Sequence, residues 1–270
     1  MIKINERIIN STLFPDGTSS LRAEIPDSDN ITLTWCFDGN HEMSEIFYLV
    51  NHIRTHRRDA GLSLIMPYIP NARMDRVRNE DEVFTLKYFS SFINSLGFDC
   101  VKVCDPHSDV SAALIDRIER IPHMPFIERV MKEISFDPGK DIMFYPDAGC
   151  AKKYESVIKL PYLKGEKKRD WRTGKIEGLE LSGNIPDEPF RVLIVDDICS
   201  RGGTFFYSAQ KLKEAGATDI YLYVTHCENT ILEGELIKSG LVTRIFTTDS
   251  IYSGKDENIN IIESFRQKGE

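Results

Sequence analysis

Apolar positions along the chain switch repeatedly between two periods. Val192–Val195 is an uninterrupted apolar run, which predicts a strand buried on both faces of a parallel sheet. Ile31, Leu33, Trp35 and Phe37 alternate with polar residues and predict a strand over Ile31–Phe37. Ile2–Ile4, Leu21–Ile25, Leu62–Met66, Cys100–Cys104, Ile142–Tyr145, Val157–Leu160, Ile220–Thr225 and Thr243–Thr247 read the same way. Helical spacing separates them. Met43–Arg58 places Met43, Ile46, Phe47, Val50 and Ile53 on one face, and Val83–Leu96 buries Phe84, Tyr88, Phe89, Phe92 and Leu96. Further helices are expected over Val110–Arg117, Pro125–Ser135, Gly149–Glu155 and Ile231–Ser239, from Thr204 onward, and over the tail Ile259–Arg266. Strands alternating with helices predict an α/β protein with mainly parallel sheets flanked by helices. The turn Asp137-Pro138-Gly139 separates two such alternations and predicts domains 1–138 and 139–270, with the final helix packing back on the first.

Chemistry concentrates where the central strand ends. The stretch Arg191–Phe206 reads RVLIVDDICSRGGTFF: a buried strand, the acids Asp196 and Asp197, a short turn with Gly202 and Gly203, then a helix from Thr204. In an open α/β sheet, ligands bind at the carboxyl ends of the strands. The glycines permit positive φ and close approach of the backbone, so successive N–H groups can face one anion, and the helix start adds free amides. Two carboxylates beside a phosphate cradle suit hydroxyls or a hydrated Mg²⁺. A phosphate and a polyol held side by side describe a sugar phosphate. The plain alternative, a strand-turn-helix junction with a capping Asp, explains a lone Gly-Gly better than it explains this whole order.

Composition narrows the rest. A net charge of −8 argues against a general nucleic-acid or anionic-membrane binder. No apolar run reaches membrane-spanning length, and the start MIKINERIIN has no signal-peptide core. The six cysteines are scattered without zinc-site spacing, so reduced thiols and a cytoplasmic location are expected. Lys164–Lys175 carries six cationic and two anionic residues in this acidic chain, and reads as an irregular basic loop able to close over anionic substrates. Arg73 and Arg76 follow the strand Leu62–Met66 on one loop, where two guanidinium forks suit a polyphosphate. His41, His52, His56, His123 and His226 read as ordinary core or surface histidines.

The Asp196–Thr204 stretch resembles the ribose 5-phosphate signature of type I phosphoribosyltransferases and ribose-phosphate pyrophosphokinases (PRPP synthetases). Other segments resemble the second group specifically. Phe14-Pro15-Asp16-Gly17 is similar to its "FxDGE", the loop carrying Arg73 and Arg76 to its "PYxxYARQDR", and Asp105-Pro106-His107 to its "DLH". Pro146-Asp147-Ala148-Gly149 is similar to its "PDxGG", and Lys167-Lys168-Arg169 falls at its "KRR". These matches run in order from about Leu13 to Thr225. The resemblance implies two phosphoribosyltransferase-like domains, each a mainly parallel sheet flanked by helices, with ATP loops in the first and the ribose 5-phosphate and catalytic loops in the second.

It also implies a reaction: the diphosphoryl group of ATP passes to the C1 hydroxyl of ribose 5-phosphate, giving PRPP and AMP, with Mg²⁺. On this resemblance Phe14, Asp16, Arg73, Arg76 and His107 bind ATP, with Phe14 and Asp16 offered to a neighbouring subunit of a homo-oligomer. Asp196, Asp197, Ser200, Arg201, Gly202, Gly203 and Thr204 bind ribose 5-phosphate. His107 and Asp147 serve the metal, although histidine is an uncommon Mg²⁺ ligand by hardness. Lys167, Arg169 and His107 are the catalytic candidates, the two cations steadying charge on the transferred group. The chain departs from the family at Thr18 (Glu), Met74 (Gln) and Ser200-Arg201 (Asp-Thr). Two alternatives stand beside this reading: a PRPP-consuming phosphoribosyltransferase, and a catalytically silent regulatory relative.

Overall fold

A computed structural model describes residues 1–169 and 176–266, apart from the side chains of 167–169 and 176–178. The chain packs as two compact units, Met1–Pro122 joined by the last residues from Glu263, and His123–Ile262.

The first unit contains β1 (Ile2–Ile4), β2 (Arg7–Ile9), β3 (Ser11–Leu13), β4 (Ser19–Leu21), β5 (Asn30–Trp35), α1 (Glu42–His56), β6 (Gly61–Ile65), α2 (Thr85–Ser95), β7 (Cys100–Cys104), α3 (Asp109–Ala113) and β8 (Ile118–Ile121). Its six-stranded sheet runs β2-β1-β5-β6-β7-β8, with β5 to β8 parallel and β1 antiparallel to both neighbours. Leu33, Trp35, Leu62, Leu64 and Val103 of the sheet pack with Ile46, Leu49 and Ile53 of α1 and Leu86, Phe89 and Ile93 of α2. The pair β3–β4 forms its own two-stranded hairpin. Its Pro-Asp-Gly turn closes as expected, Gly17 taking φ +83° and donating its N–H to the Phe14 carbonyl at 2.9 Å. The strand expected over Leu21–Ile25 is instead β4, and 22–25 carry no regular structure. The helix expected through Arg117 ends at Ala113, and Ile118–Ile121 pairs with β7. Two rings expected in the core face outward: Phe47 is 47 % exposed and Tyr88 63 %.

The second unit contains α4 (Met124–Glu133), β9 (Asp141–Tyr145), α5 (Ala148–Tyr154), β10 (Tyr162–Arg169), β11 (Ile176–Ser182), β12 (Phe190–Cys199), α6 (Gly203–Glu214), β13 (Ala217–Cys227), α7 (Glu235–Ser239), β14 (Arg244–Thr248) and β15 (Ile259–Ile262). The sheet order is β11-β10-β9-β12-β13-β14-β15, parallel except for the edge strand β11. The central run is buried on both faces. Val192 and Ile194 pack with Phe205, Ala209 and Leu212 of α6, while Leu193 and Val195 pack with Ile127 and Val130 of α4 and Ala151 and Tyr154 of α5.

Four expectations change here. Of the basic stretch Lys164–Lys175, Lys164–Arg169 forms strand β10, paired antiparallel with β11, rather than irregular loop, and 170–175 lie outside the described residues. Val157–Leu160 forms no strand. The tail is not a helix over Ile259–Arg266: Ile259–Ile262 is a strand pairing in parallel with β14, which buries Ile259 and Ile262. The units divide at Pro122 rather than at Asp137–Gly139, because α4 belongs to the second core. Arg191 pins the end of α4 there, bonding Asp141 (2.9 Å), the Ile134 carbonyl (3.1 Å) and the Ser135 carbonyl (2.8 Å). No helix of the described residues is long and apolar enough to cross a membrane. All six cysteines are free thiols.

Candidate functional site

The acids sit at the carboxyl end of β12, and each is held by a different neighbour. Asp196 Oδ1 accepts the Asp197 N–H at 2.9 Å, while Asp197 Oδ2 accepts from Lys153 Nζ of α5 at 3.1 Å. Asp147, at the end of the adjacent strand β9, caps α5 by accepting the Cys150 N–H at 3.0 Å. Burial first, then the neighbouring charges of Asp197 and Asp147, push the Asp196 carboxyl well above the usual carboxylate range, against the opposing pull of the Asp197 N–H and Lys153. An acidic cluster of this kind favours whatever brings hydroxyl donors or positive charge to it.

The turn after the acids is built by close backbone approach. Gly202 adopts φ +77° just before α6, and a Cβ there would stand 2.9 Å from the Leu236 side chain. Gly203 needs no such conformation. A Cβ at 203 would meet nothing within 4 Å, so its role is open space above the first amides of α6. Behind the turn, Gly234 lies directly on the Arg201 carbonyl, where a Cβ would fall 1.9 Å from the oxygen. This contact breaks the expected helix over Ile231–Ser239 into a 3-10 turn, Asn229–Glu233, and α7. Ser200 gives its hydroxyl to Glu228 at 2.7 Å, and Arg201 pairs on the surface with Glu233 at 3.1 Å. Thr204 is exposed at the start of the helix.

In the first unit, the loops after β6 and β7 meet at Asp75. Arg76 Nε donates to Asp75 Oδ1 at 3.0 Å. Burial raises the Asp75 carboxyl, but Arg76, Ser108 and His107 outweigh it and hold the group below its ordinary value. Two of the residues expected at ATP, Arg76 and His107, are therefore neighbours of one carboxylate. Arg73 lies exposed on the same loop as Arg76. On the β3–β4 hairpin, Asp16 accepts both the N–H (3.0 Å) and the hydroxyl (2.7 Å) of Thr18, which fixes the tip and leaves the Phe14 ring 55 % exposed. Lys167 and Arg169 stand on β10 opposite Leu179 and Ile176, and their side chains lie outside the described residues. Gly165 allows β10 to run against the Asp147 loop: a Cβ there would meet the Pro146 carbonyl at 2.6 Å.

No group of three or more His, Cys, Asp and Glu side chains among the described residues is arranged to hold a metal ion. Mg²⁺ does not require one, because it keeps several waters and takes one or two carboxylates plus substrate phosphates. The hard oxygen donors of Asp196, Asp197 and Asp147, the first driven up by burial and by its acidic neighbours, fit that ion.

Three contributors gave little signal in the sequence. Lys153 is one lysine among several until α5 is laid beside β12. Glu228 and Gly234 act on the turn from 28 and more residues away.

No family model matches the chain. Curated relatives do. The ribose-phosphate pyrophosphokinase of Saccharolobus solfataricus is 29 % identical over 229 residues, 81 % of this chain and 76 % of that one. That of Staphylococcus saprophyticus is 28 % identical, over 78 % of this chain and 66 % of its own, and that of Pasteurella multocida 26 % identical, over 93 % and 75 %. Among solved structures, the phosphoribosylpyrophosphate synthetase of Mycobacterium smegmatis superposes with a TM-score of 0.75 at 16 % identity, covering 95 % of this chain and 86 % of that one. Fold and strand-end turn together define two α/β units, each a mainly parallel sheet flanked by helices, as in that synthetase. In sequence the chain is similar to ribose-phosphate pyrophosphokinases over most of its length.

Proposed function

We propose that the protein is a ribose-phosphate diphosphokinase, passing the β,γ-diphosphoryl group of ATP to the C1 hydroxyl of ribose 5-phosphate. The products are PRPP and AMP. The observation that carries this reading is the pairing of Asp196 and Asp197 with an open glycine turn at the end of a strand buried on both faces. Asp196 and Asp197 take the ribose hydroxyls, and the amides from Gly202 to Thr204 take the 5-phosphate. Ser200 and Arg201 serve that turn through Glu228 and Glu233 as well as by position. Arg73, Arg76 and His107 hold the triphosphate, with Lys167 and Arg169 steadying the transferred group.

Mg²⁺, when bound, neutralises phosphate charge and brings ATP to the hydroxyls. Asp147 and the β12 acids would hold it, with His107 orienting the nucleotide. Phe14 and Asp16, presented at an exposed tip, would complete the nucleotide site of a second copy in a homo-oligomer. The deciding experiment is mass spectrometry of a reaction containing ATP, Mg²⁺ and ribose 5-phosphate. PRPP and AMP should appear together. Formation of a nucleoside monophosphate and pyrophosphate from PRPP and a base instead would identify a phosphoribosyltransferase, and no product in either mixture would identify a silent relative.

Lys153 gives a sharper test. It donates to Asp197 at 3.1 Å, so Lys153→Met should lower turnover roughly 10- to 100-fold, on the scale of lost outer-shell support. Lys153→Arg, which keeps the charge, should recover much of it. Steady-state kinetics beside a thermal melt separates this from unfolding: equal activity in Lys153→Met and the native chain removes Lys153 from the site.

A further inference from the structure

Asp75 carries the wrong charge for its surroundings. The loops assigned to the triphosphate, 67–78 after β6 and 105–108 after β7, bring Arg73, Arg76 and His107, yet the side chain where they meet is a carboxylate. It is also set deep: the Asp75 side chain is 9 % exposed, against 69 % for Arg76. An anion beneath cations weakens their pull on a phosphate, so its presence has to be offset by what it does to them.

Its hydrogen bonds show what that is. Arg76 reaches Asp75 Oδ1 through Nε, at 3.0 Å. The guanidinium is a rigid planar fork, so a buried acceptor at Nε fixes its plane. The Nη1–Nη2 end, which makes no bond among the described residues, is left on the solvent side, where each nitrogen can take a phosphate oxygen. Ser108 carries the constraint to the second loop. Its hydroxyl donates to Asp75, and its oxygen accepts the Ser111 N–H at 3.3 Å to cap α3. His107, one residue back, stands beside the same carboxylate. A single buried acceptor thus governs the aim of Arg76 on one loop and the place of His107 on the other.

We propose that Asp75 is a positioning residue for ATP: it presents the outer edge of Arg76 and the ring of His107 to the phosphates as one prearranged pair. Two side chains left to themselves would have to be ordered by the ligand, at a cost in affinity that the carboxylate removes in advance. The proposal deepens the diphosphokinase reading and rests on it, and its test lets the two fail apart.

Steady-state kinetics of Asp75→Asn, with ATP and ribose 5-phosphate varied in turn, is the experiment. Asparagine keeps the shape and an acceptor oxygen but loses the charge that holds Arg76. KM for ATP should rise about tenfold, the scale of one charge-assisted hydrogen bond, while KM for ribose 5-phosphate stays within about twofold. A residue that only held the fold would lower the melting temperature without splitting the two constants. A double-mutant cycle sharpens the result. Arg76→Ala should raise KM for ATP about tenfold in the native chain and no more than about threefold in Asp75→Asn, where Arg76 is already misaimed. Ser108→Ala, which leaves every charge in place, should move KM for ATP the same way and supplies the answer if Asp75→Asn folds badly. Native KM for ATP in both Asp75→Asn and Ser108→Ala overturns the proposal while PRPP formation stands. Effects of Asp75→Asn and Arg76→Ala that simply add overturn it equally, since the two side chains would then serve ATP independently. In a chain that binds ATP without turnover, the same comparisons are read from dissociation constants by titration calorimetry. A native chain that neither makes PRPP nor binds ATP removes the diphosphokinase reading and this inference together.

Discussion

Asp196→Asn should yield a protein that melts higher than the native chain and turns over almost no substrate. In the folded chain the half-buried Asp196 carboxyl lies beside the buried Asp197 and near Asp147, and desolvation with these neighbours raises its affinity for a proton. The sign follows directly. Between the ordinary carboxylate pKa of about 3.9 and the raised folded value, the folded state binds more protons than the unfolded one. Stability contributed by this group therefore falls as pH rises through that window, and the destabilisation is complete above it. Asparagine keeps the shape and the hydrogen bond from the Asp197 N–H while removing the charge. Stability should rise by about 1–2 kcal/mol at pH 8, or about 3–6 °C in a unit of this size, and by less at pH 5. Turnover should fall about 100-fold or more, because asparagine cannot take up the carboxylate form that a ribose hydroxyl or a bound cation would draw out of Asp196. Calorimetry at both pH values checks the first half and a PRPP assay the second. A variant that melts lower at pH 8 would show that Lys153 already neutralises the cluster.

The strand-turn-helix that carries Asp196 was the most legible part of the fold in the sequence. Strand, acids, glycine turn and helix are contiguous, so Val192–Thr204 announces its local structure without help from distant residues. What depends on distant packing was not legible. The hairpin β10–β11 is an edge pair, and the residues YLKGEKKR on it lack the alternation that a half-buried strand shows. Ile259–Ile262 is too short to separate strand from helix by period, and only its place beside β14 decides. The division at Pro122 turns on Arg191 reaching the end of α4, a contact between residues more than 50 positions apart. Phe47 follows Ile46 by one residue, so the same helical face seemed to include both. In the structure α1 turns Ile46 inward and Phe47 outward.

Substitution at Gly234 and Gly203 should separate the frame of the phosphate turn from its mouth. At Gly234 the backbone conformation is ordinary, φ −78° and ψ 162°, so the requirement is space alone. A Cβ would fall 1.9 Å from the Arg201 oxygen and 3.2 Å from the Ile231 oxygen, and no side-chain rotation can relieve a clash with two backbone carbonyls. Gly234→Ala must therefore displace either the turn or the start of α7, which in turn carries Leu236 beneath Gly202. A loss of about 2–4 kcal/mol of stability is expected, together with at least about tenfold weaker ribose 5-phosphate binding. Gly203→Ala should behave in the opposite way. Its methyl meets nothing, and alanine suits the first turn of α6 better than glycine, so the melting temperature should hold or rise. The same methyl would occupy the approach to the helix amides, and binding should fall as far as in Gly234→Ala. Titration calorimetry with ribose 5-phosphate, paired with thermal melts of both variants, reads the two effects separately. Native affinity in Gly203→Ala would mean that the phosphate does not seat over the start of α6, whatever the fate of Gly234.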